Sequence, residues 1–564
     1  MKPQKYADTV SIKDFGAKGD GIQDDTQAIQ DALDTGVRKI IIPTGIFLIS
    51  NAIKPSANQD IEIIGTLKVA DANIQAIIAD VVSGQSHVEV ADASGYRVGQ
   101  WVVLCDEDSP LWGIRIHGDC GRIIEIEGCV LRLEGKFGMS YQVAANARIG
   151  TCSSAILIEN KSNIRIHGGG IIDGNKSNQI DVRPTVMIGC VTRTSLRSEE
   201  FRASCGIVSS GLPGSMDNIT IESITVRDAN AHNICLIGVR NSRILNTLCI
   251  GCHDKNITLL DSHDIRIAGN IAAFSVWEDG IMLHPKTGNR RFLIQGNICM
   301  GSPRVGIGVG VQEDEIHLSG NLCVNNALHI NLDGDNCSST GDICQGKNHN
   351  RNPREFTPAV SFGGKNTRIS NLMLLPSDRA IGVELVGAED LTWIGGLIKG
   401  GSVIEDGDTG MILKESATNS DMYPERVLIQ GVKIEGFNTG IKIHDKAKSI
   451  KLIDNTLLNN RQSMDWDSEG GGDVVFVRNY GFVTANKGLA IIKADQKSVT
   501  ISHKLNIKPS LSDIQVTPAN NLGDSLKFWI TNLTDTTFDI FVDTEPSSCR
   551  AEFSWRINII HQTI

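Results

Sequence analysis

The chain has 564 residues, a formal net charge of −11 and only 5% aromatic residues, with 57 Gly against 15 Pro. Its mean hydropathy is near zero, at −0.07, a profile that suits many short strands and turns and argues against a long helical bundle. No Lys/Arg-rich run carries the electrostatic footprint of nucleic-acid binding, and no apolar run of about 18 residues predicts a membrane-spanning helix.

Met1 to Val10 lacks the apolar centre of a signal peptide, which predicts export by a route other than ordinary secretion, or a trimmed chain. Residues 24–35, DDTQAIQDALDT, fit an amphipathic helix. Asp24 or Asp25 offers an N-cap, Ala28, Ile29, Ala32 and Leu33 form one face, and Gly36 marks the stop. The acidic run Asp20, Asp24, Asp25 reads as turn and cap chemistry rather than catalysis. The whole stretch VSIKDFGAKGDGIQDDTQAIQDAL, Val10 to Leu33, resembles the N-terminal signature of the pectate-lyase-like family found in phage tailspikes and tail appendages. That resemblance implies an all-β, right-handed parallel β-helix. A β-helix exposes an open edge and core at each end, so residues 1–36 are expected to form an N-terminal cap whose helix covers the first coil.

From residue 37 the expected solenoid begins with IIIPTGIFLIS and DIEIIGTLKV, is interrupted by an insertion with its own strands at about 85–150, and resumes at SNIRIHGGGIIDG. The clearest repeat lies in AHNICLI, DKNITLL, EDGIMLH, RVGIGVG and LHINLDG. Their isoleucines, Ile234, Ile257, Ile281, Ile307 and Ile330, are spaced 23, 24, 26 and 23 residues apart. A second column, Asn246, Asn270, Asn297 and Asn321, keeps spacings of 24, 27 and 24. Short runs alternating apolar and polar residues predict half-buried strands, and stacking at about 4.8 Å would align the asparagines into a ladder. Weaker coils extend the solenoid to about residue 485. Cys249, Cys299 and Cys323 sit inside apolar strand runs, which predicts that most of the 14 cysteines are buried thiols rather than a disulfide framework. Cys249 and Cys252 make a lone CxxC that reads as core. No pattern demands a metal, nucleotide or flavin.

Glycoside cleavage needs two carboxylates. With the isoleucine column pointing inward, positions −3, −1, +1 and +3 are expected to point outward. The −3 positions bring Asp254, Glu278 and Arg304 onto successive coils, with Asp279 beside them, and Asp254/Glu278 fits a retaining pair. Trp277, His284, Arg304, His329 and Asp333 are expected to contact the glycan, and Glu313 or Asp314 could complete a wider pair with Glu278 or Asp279. The strand WEDGIML also resembles the NxDGI strand of polygalacturonases, which implies a catalytic carboxylate at Asp279. That family's later Asp-Asp coil, Gly-His-Gly and Arg-x-Lys motifs have no in-order match here.

From about 490 the runs VTISHKL, SDIQVTP, LKFWITN, TFDIFVD and AEFSWRI predict a small β-sandwich over 490–564. SLSDIQVTPANNLGDSLKFWI resembles modules that follow β-helices in phage and bacterial glycan-degrading proteins, which implies trimerisation or glycan binding. Trp529 and Trp555 are candidate carbohydrate platforms, with core packing the plainer reading of both. The resemblances imply a homotrimeric tailspike-like depolymerase on the virion tail, or otherwise secreted. It would hydrolyse a bacterial surface polysaccharide, with other phage tail proteins as further partners. The alternatives are a polysaccharide lyase using Lys255, Arg304 and His284, or a noncatalytic tail adhesin.

Overall fold

The computed structural model describes residues 8–107, 118–180, 206–210, 214–285, 287–346, 358–375, 380–416, 422–466, 474–481, 485–505, 508–546 and 550–558. The chain divides into two units, one built from Met1–Asn331 and the other from Leu332–Lys347 and Thr357–Ile564. Both contain parallel β-solenoid coils, and small antiparallel sheets follow the coils of the second.

In the first unit each regular coil contributes three short strands, such as Ile257–Leu260, His263–Ala268 and Ile271–Ala273. The next coil repeats them as Ile281–Leu283, Arg290–Gln295 and Ile298–Met300. Parallel register stacks Ile234 on Ile257, Ile281 and Ile307, as the column of isoleucines predicts. A second inward column runs Ile244, Ile267, Ile294, Leu318, and a third sets Cys249 on Ala272, Cys299 and Cys323. These side chains are at most 1% exposed. Ten of the eleven described cysteines are buried, with Cys129 the exposed one.

The asparagine ladder forms, with one correction. Asn270 Nδ2 donates to Asn297 Oδ1 (2.9 Å), and Asn297 Nδ2 donates to Asn321 Oδ1 (3.0 Å). Asn246 stands one place out of register. It takes the left-handed turn position (φ 51°) that Gly269, Gly296 and Gly320 occupy on later coils, and Thr247 fills the ladder place, its N–H donating to Asn270 Oδ1 (2.9 Å). Asn tolerates this backbone region better than other non-glycine residues, so the Gly-Asn dipeptide becomes Asn-Thr without changing the turn.

The expected helix spans Thr26–Asp34 and buries Ile29, Ala32 and Leu33. Asp20–Asp24 is a strand that pairs with Ile46–Ile49. The three acids do turn chemistry: Asp20 accepts from Ile22 and Gln23 N–H, Asp24 from Thr26 N–H, and Asp25 from Lys18 and Gly19 N–H. The antiparallel insertion runs from Ile74–Ala76 to Arg148–Cys152 and carries its own core around Val102, Leu131, Tyr141 and Ile149. The ladder closes beneath it, with Ile61 on Ile166 and Leu67 on Ile172.

In the second unit Trp393 is fully buried in a column with Ile369, Ile429, Leu452 and Phe476. After the coils come two three-stranded antiparallel sheets. One orders Ala485–Ile492, Ala551–Asn558 and Ile514–Pro518; the other orders Ser498–Ser502, Thr537–Val542 and Phe528–Thr531. Rings from the two sheets touch, Phe528 on Phe553 (5.2 Å) and Phe538 on Trp555 (5.7 Å).

Candidate functional site

The turns that lead into Ile257–Leu260, Ile281–Leu283 and Val305–Val309 bring five charged side chains into one connected group. Lys255 Nζ contacts Asp254 Oδ2 (3.0 Å) and Glu278 Oε2 (2.5 Å). Arg304 Nη1 contacts the same Glu278 oxygen (2.7 Å) and lies 3.6 Å from Asp279 Oδ2. Asp279 Oδ1 accepts from Val305 N–H (3.1 Å), which ties it to the coil above. Stacking explains the convergence, because residues at equivalent places on successive coils lie one strand spacing apart.

The group is not on an open face, and this corrects the expected alternation. Asp254 is 3% exposed, Glu278 8% and Asp279 0%. The −1 positions turn inward: Asn233 Nδ2 donates to Asn256 Oδ1 (2.8 Å) in a second asparagine pair. Gly280 follows in the same place, where an added Cβ would sit 2.5 Å from Gly306 O. Cys235 at +1 and Ile237 and Leu260 at +3 are buried too, in an apolar cluster with Leu157 and Val208, whereas His284 and Asp333 at +3 are half-buried. Strict alternation fails because these charged residues precede the strands, in turns where adjacent side chains such as Asp254 and Lys255 converge.

Burial sets the electrostatics. Loss of hydration raises Asp254 above the usual carboxylate range, Glu278 adds to the rise, and Lys255 opposes it. Asp279 is also raised by burial against the pull of Arg304. Lys255 and Arg304 are held charged by the surrounding carboxylates. His232, missed in the sequence, is kept neutral by burial, and its Nδ1 lies 3.3 Å from Asp254 Oδ2. That nitrogen also accepts from Lys255 N–H (3.3 Å). Its approach to Asp254 is therefore favourable when the carboxyl carries the proton.

Trp277 is half-buried and its Nε1 donates to Nε2 of His253 (2.6 Å), a second histidine that sequence reasoning missed. His284 is half-buried, with burial lowering its pKa to about 4. The remaining expected residues differ in burial and partners. Glu313 is buried, its Oε1 accepting from Thr287 N–H (3.1 Å), and desolvation pushes it up to about 7. Asp314 is half-buried and opens the strand Asp314–Ser319 opposite Arg290. His329 is fully buried, which leaves it no surface to offer a glycan. Asp333 belongs to the second unit, where its carboxylate lies beside Gly363.

Residues 9–97 match the family model described as rhamnogalacturonase A/epimerase, pectate lyase-like. That match covers the first sixth of the chain, and the parallel coils that continue beyond it share the pectate lyase-like β-helix fold. Among particular proteins, the pre-neck appendage protein of Bacillus phage phi29 is 43% identical over 49 residues, 9% of this chain and 6% of that protein. Plasmin and fibronectin-binding protein A of Streptococcus pneumoniae is 24% identical over 185 residues, 32% of this chain and 23% of that protein. The chain therefore matches less than a quarter of the length of either relative. The crystal structure of pre-mature bacteriophage phi29 gene product 12 aligns with a TM-score of 0.57 at 15% identity, covering 84% of this chain and 56% of the other, a likeness of fold.

Proposed function

We propose that this chain is a tailspike-like depolymerase that hydrolyses glycosidic bonds of a bacterial surface polysaccharide, with Asp254 as general acid and Glu278 as nucleophile. The observation that carries the reading is the pair itself. The Asp254 and Glu278 oxygens share Lys255 as a neighbour, so they are no further apart than their two contacts to Nζ laid end to end. That limit meets the separation of about 5–5.5 Å used by retaining glycosidases. Their surroundings also divide the roles. Asp254 is held toward its protonated form by burial, while Glu278 faces two cations that favour the carboxylate. Asp279 would hold Arg304 in place, and Trp277, His284 and Arg304, the less buried members, would meet the sugar.

The same physics weighs against a lyase that uses Lys255 as base, because the adjoining carboxylates keep this amine protonated. A noncatalytic tail adhesin is a second reading, favoured by the near-complete burial of Asp254 and Asp279. Incubation with purified capsule or O-antigen and mass analysis of the products separates the two. Discrete oligosaccharides support hydrolysis, products absorbing near 232 nm would indicate a lyase, and an intact polymer retained on the protein would indicate an adhesin. We further infer a homotrimer acting on the virion tail, a right-handed solenoid whose first coil is closed by the helix Thr26–Asp34, and a C-terminal sandwich. Gln59 Nε2 donating to Leu33 O (2.8 Å) anchors that helix to the coil.

A further inference from the structure

We propose a second glycan-binding site on the outward face of the C-terminal sheet Ser498–Ser502, Thr537–Val542, Phe528–Thr531, centred on Trp529. It deepens the glycan-directed reading above by naming a recognition site separate from the carboxylate cluster.

Trp529 and Trp555 part company in the structure. Trp555 is 6% exposed and meets Phe538 edge-on in the core between the sheets. Trp529 is 47% exposed and lies nearly parallel to Phe541, with ring centroids 6.0 Å apart and planes 15° from each other. Register sets Trp529 opposite Phe541 and Thr531 opposite Asp539, while Thr500 lies opposite Asp539 on the other side. Residues two apart on a strand share a face. The outer surface therefore carries an aromatic row beside a polar row of Thr500, Asp539 and Thr531. Asn532 Nδ2 donates to Asp539 Oδ2 (2.7 Å), which orients the carboxylate.

A pyranose ring has a C–H face that stacks on an aromatic ring and equatorial hydroxyls that need acceptors at the rim. This surface offers both, in rows two residues apart along the strands. A second copy of the chain fits it less well. Two partly exposed rings, each burying about 150–250 Å² at most, fall short of the roughly 800 Å² per partner of a stable protein interface, and polar side chains flank them.

The test is ¹⁹F NMR of the full chain labelled with 5-fluorotryptophan, the Trp529 signal being assigned among seven tryptophans by its loss in Trp529→Phe. Methyl glycopyranosides of glucose, galactose and mannose are the probes. At least one should shift the Trp529 signal saturably and leave Trp555 unmoved. Asp539→Ala should weaken that binding about tenfold, the loss of one hydrogen bond to a charged group. The shift should persist in Glu278→Gln, so failure of the proposed hydrolysis would not remove it. A Trp529 signal unmoved by all three sugars overturns the proposal, as does one that moves with protein concentration instead.

Discussion

A side chain taken out of water resists ionisation, and two groups here, Glu313 and His284, turn that into measurable pH dependence. Glu313 is raised to about 7 in the folded protein from an ordinary 4.5. Its contribution to stability is full below about pH 4.5 and is lost as pH rises through 7. Glu313→Gln should therefore flatten the fall in Tm between pH 5 and 8. His284 acts with the opposite sign. Its pKa is lowered to about 4 from 6.5, so its contribution is present above pH 6.5 and lost as pH falls through 4, and His284→Gln should protect the protein at pH 4–5. For catalysis, Asp254→Asn and Glu278→Gln should each lower turnover by about a hundredfold or more, while the exposed Glu405→Gln changes nothing; product formation from a cleavable glycan is the measurement. Sequence spacing was enough to bring Asp254, Glu278, Asp279 and Arg304 together, because their equivalent places on stacked coils fix their neighbourhood. It could not find His232 or the burial of the group, because both depend on how turns fold inward before a strand begins.

At the scale of the coil, most of the fold was legible because each side chain on the inner columns recurs at one place per turn. Ile257, Ile281 and Ile307 kept that register, whereas Asn246 did not, since Gly-Asn and Asn-Thr satisfy the same turn in different ways. The ladder these residues form replaces water around buried amides, and its loss should cost stability. Asn297→Ala strips hydrogen bonds from Asn270, Asn321 and the Ile267 carbonyl. At about 1–3 kcal/mol for each buried polar group left unsatisfied, the variant should melt well below wild type. Asn246→Gly, which places glycine at a left-handed turn, should be close to neutral. Chemical denaturation of the two variants side by side checks both.

For the molecule as a whole, the proposed homotrimer predicts a light-scattering mass near three times 61.0 kDa, and a mass of one chain across a wide concentration range would contradict it. Thiol chemistry is the second global readout. With ten described cysteines buried and Cys129 exposed, native labelling should be slow at those ten and fast at Cys129, and denaturation should release close to 14 thiols. The central claim is that the buried charge cluster cleaves glycans, and one comparison tests it most directly. Wild type and Glu278→Gln, matched in thermal melt, are incubated with purified capsule or O-antigen and the products are weighed by mass spectrometry. The account predicts oligosaccharides with water added at the broken bond from wild type and intact polymer from Glu278→Gln. Equal release of products by the two proteins would contradict it.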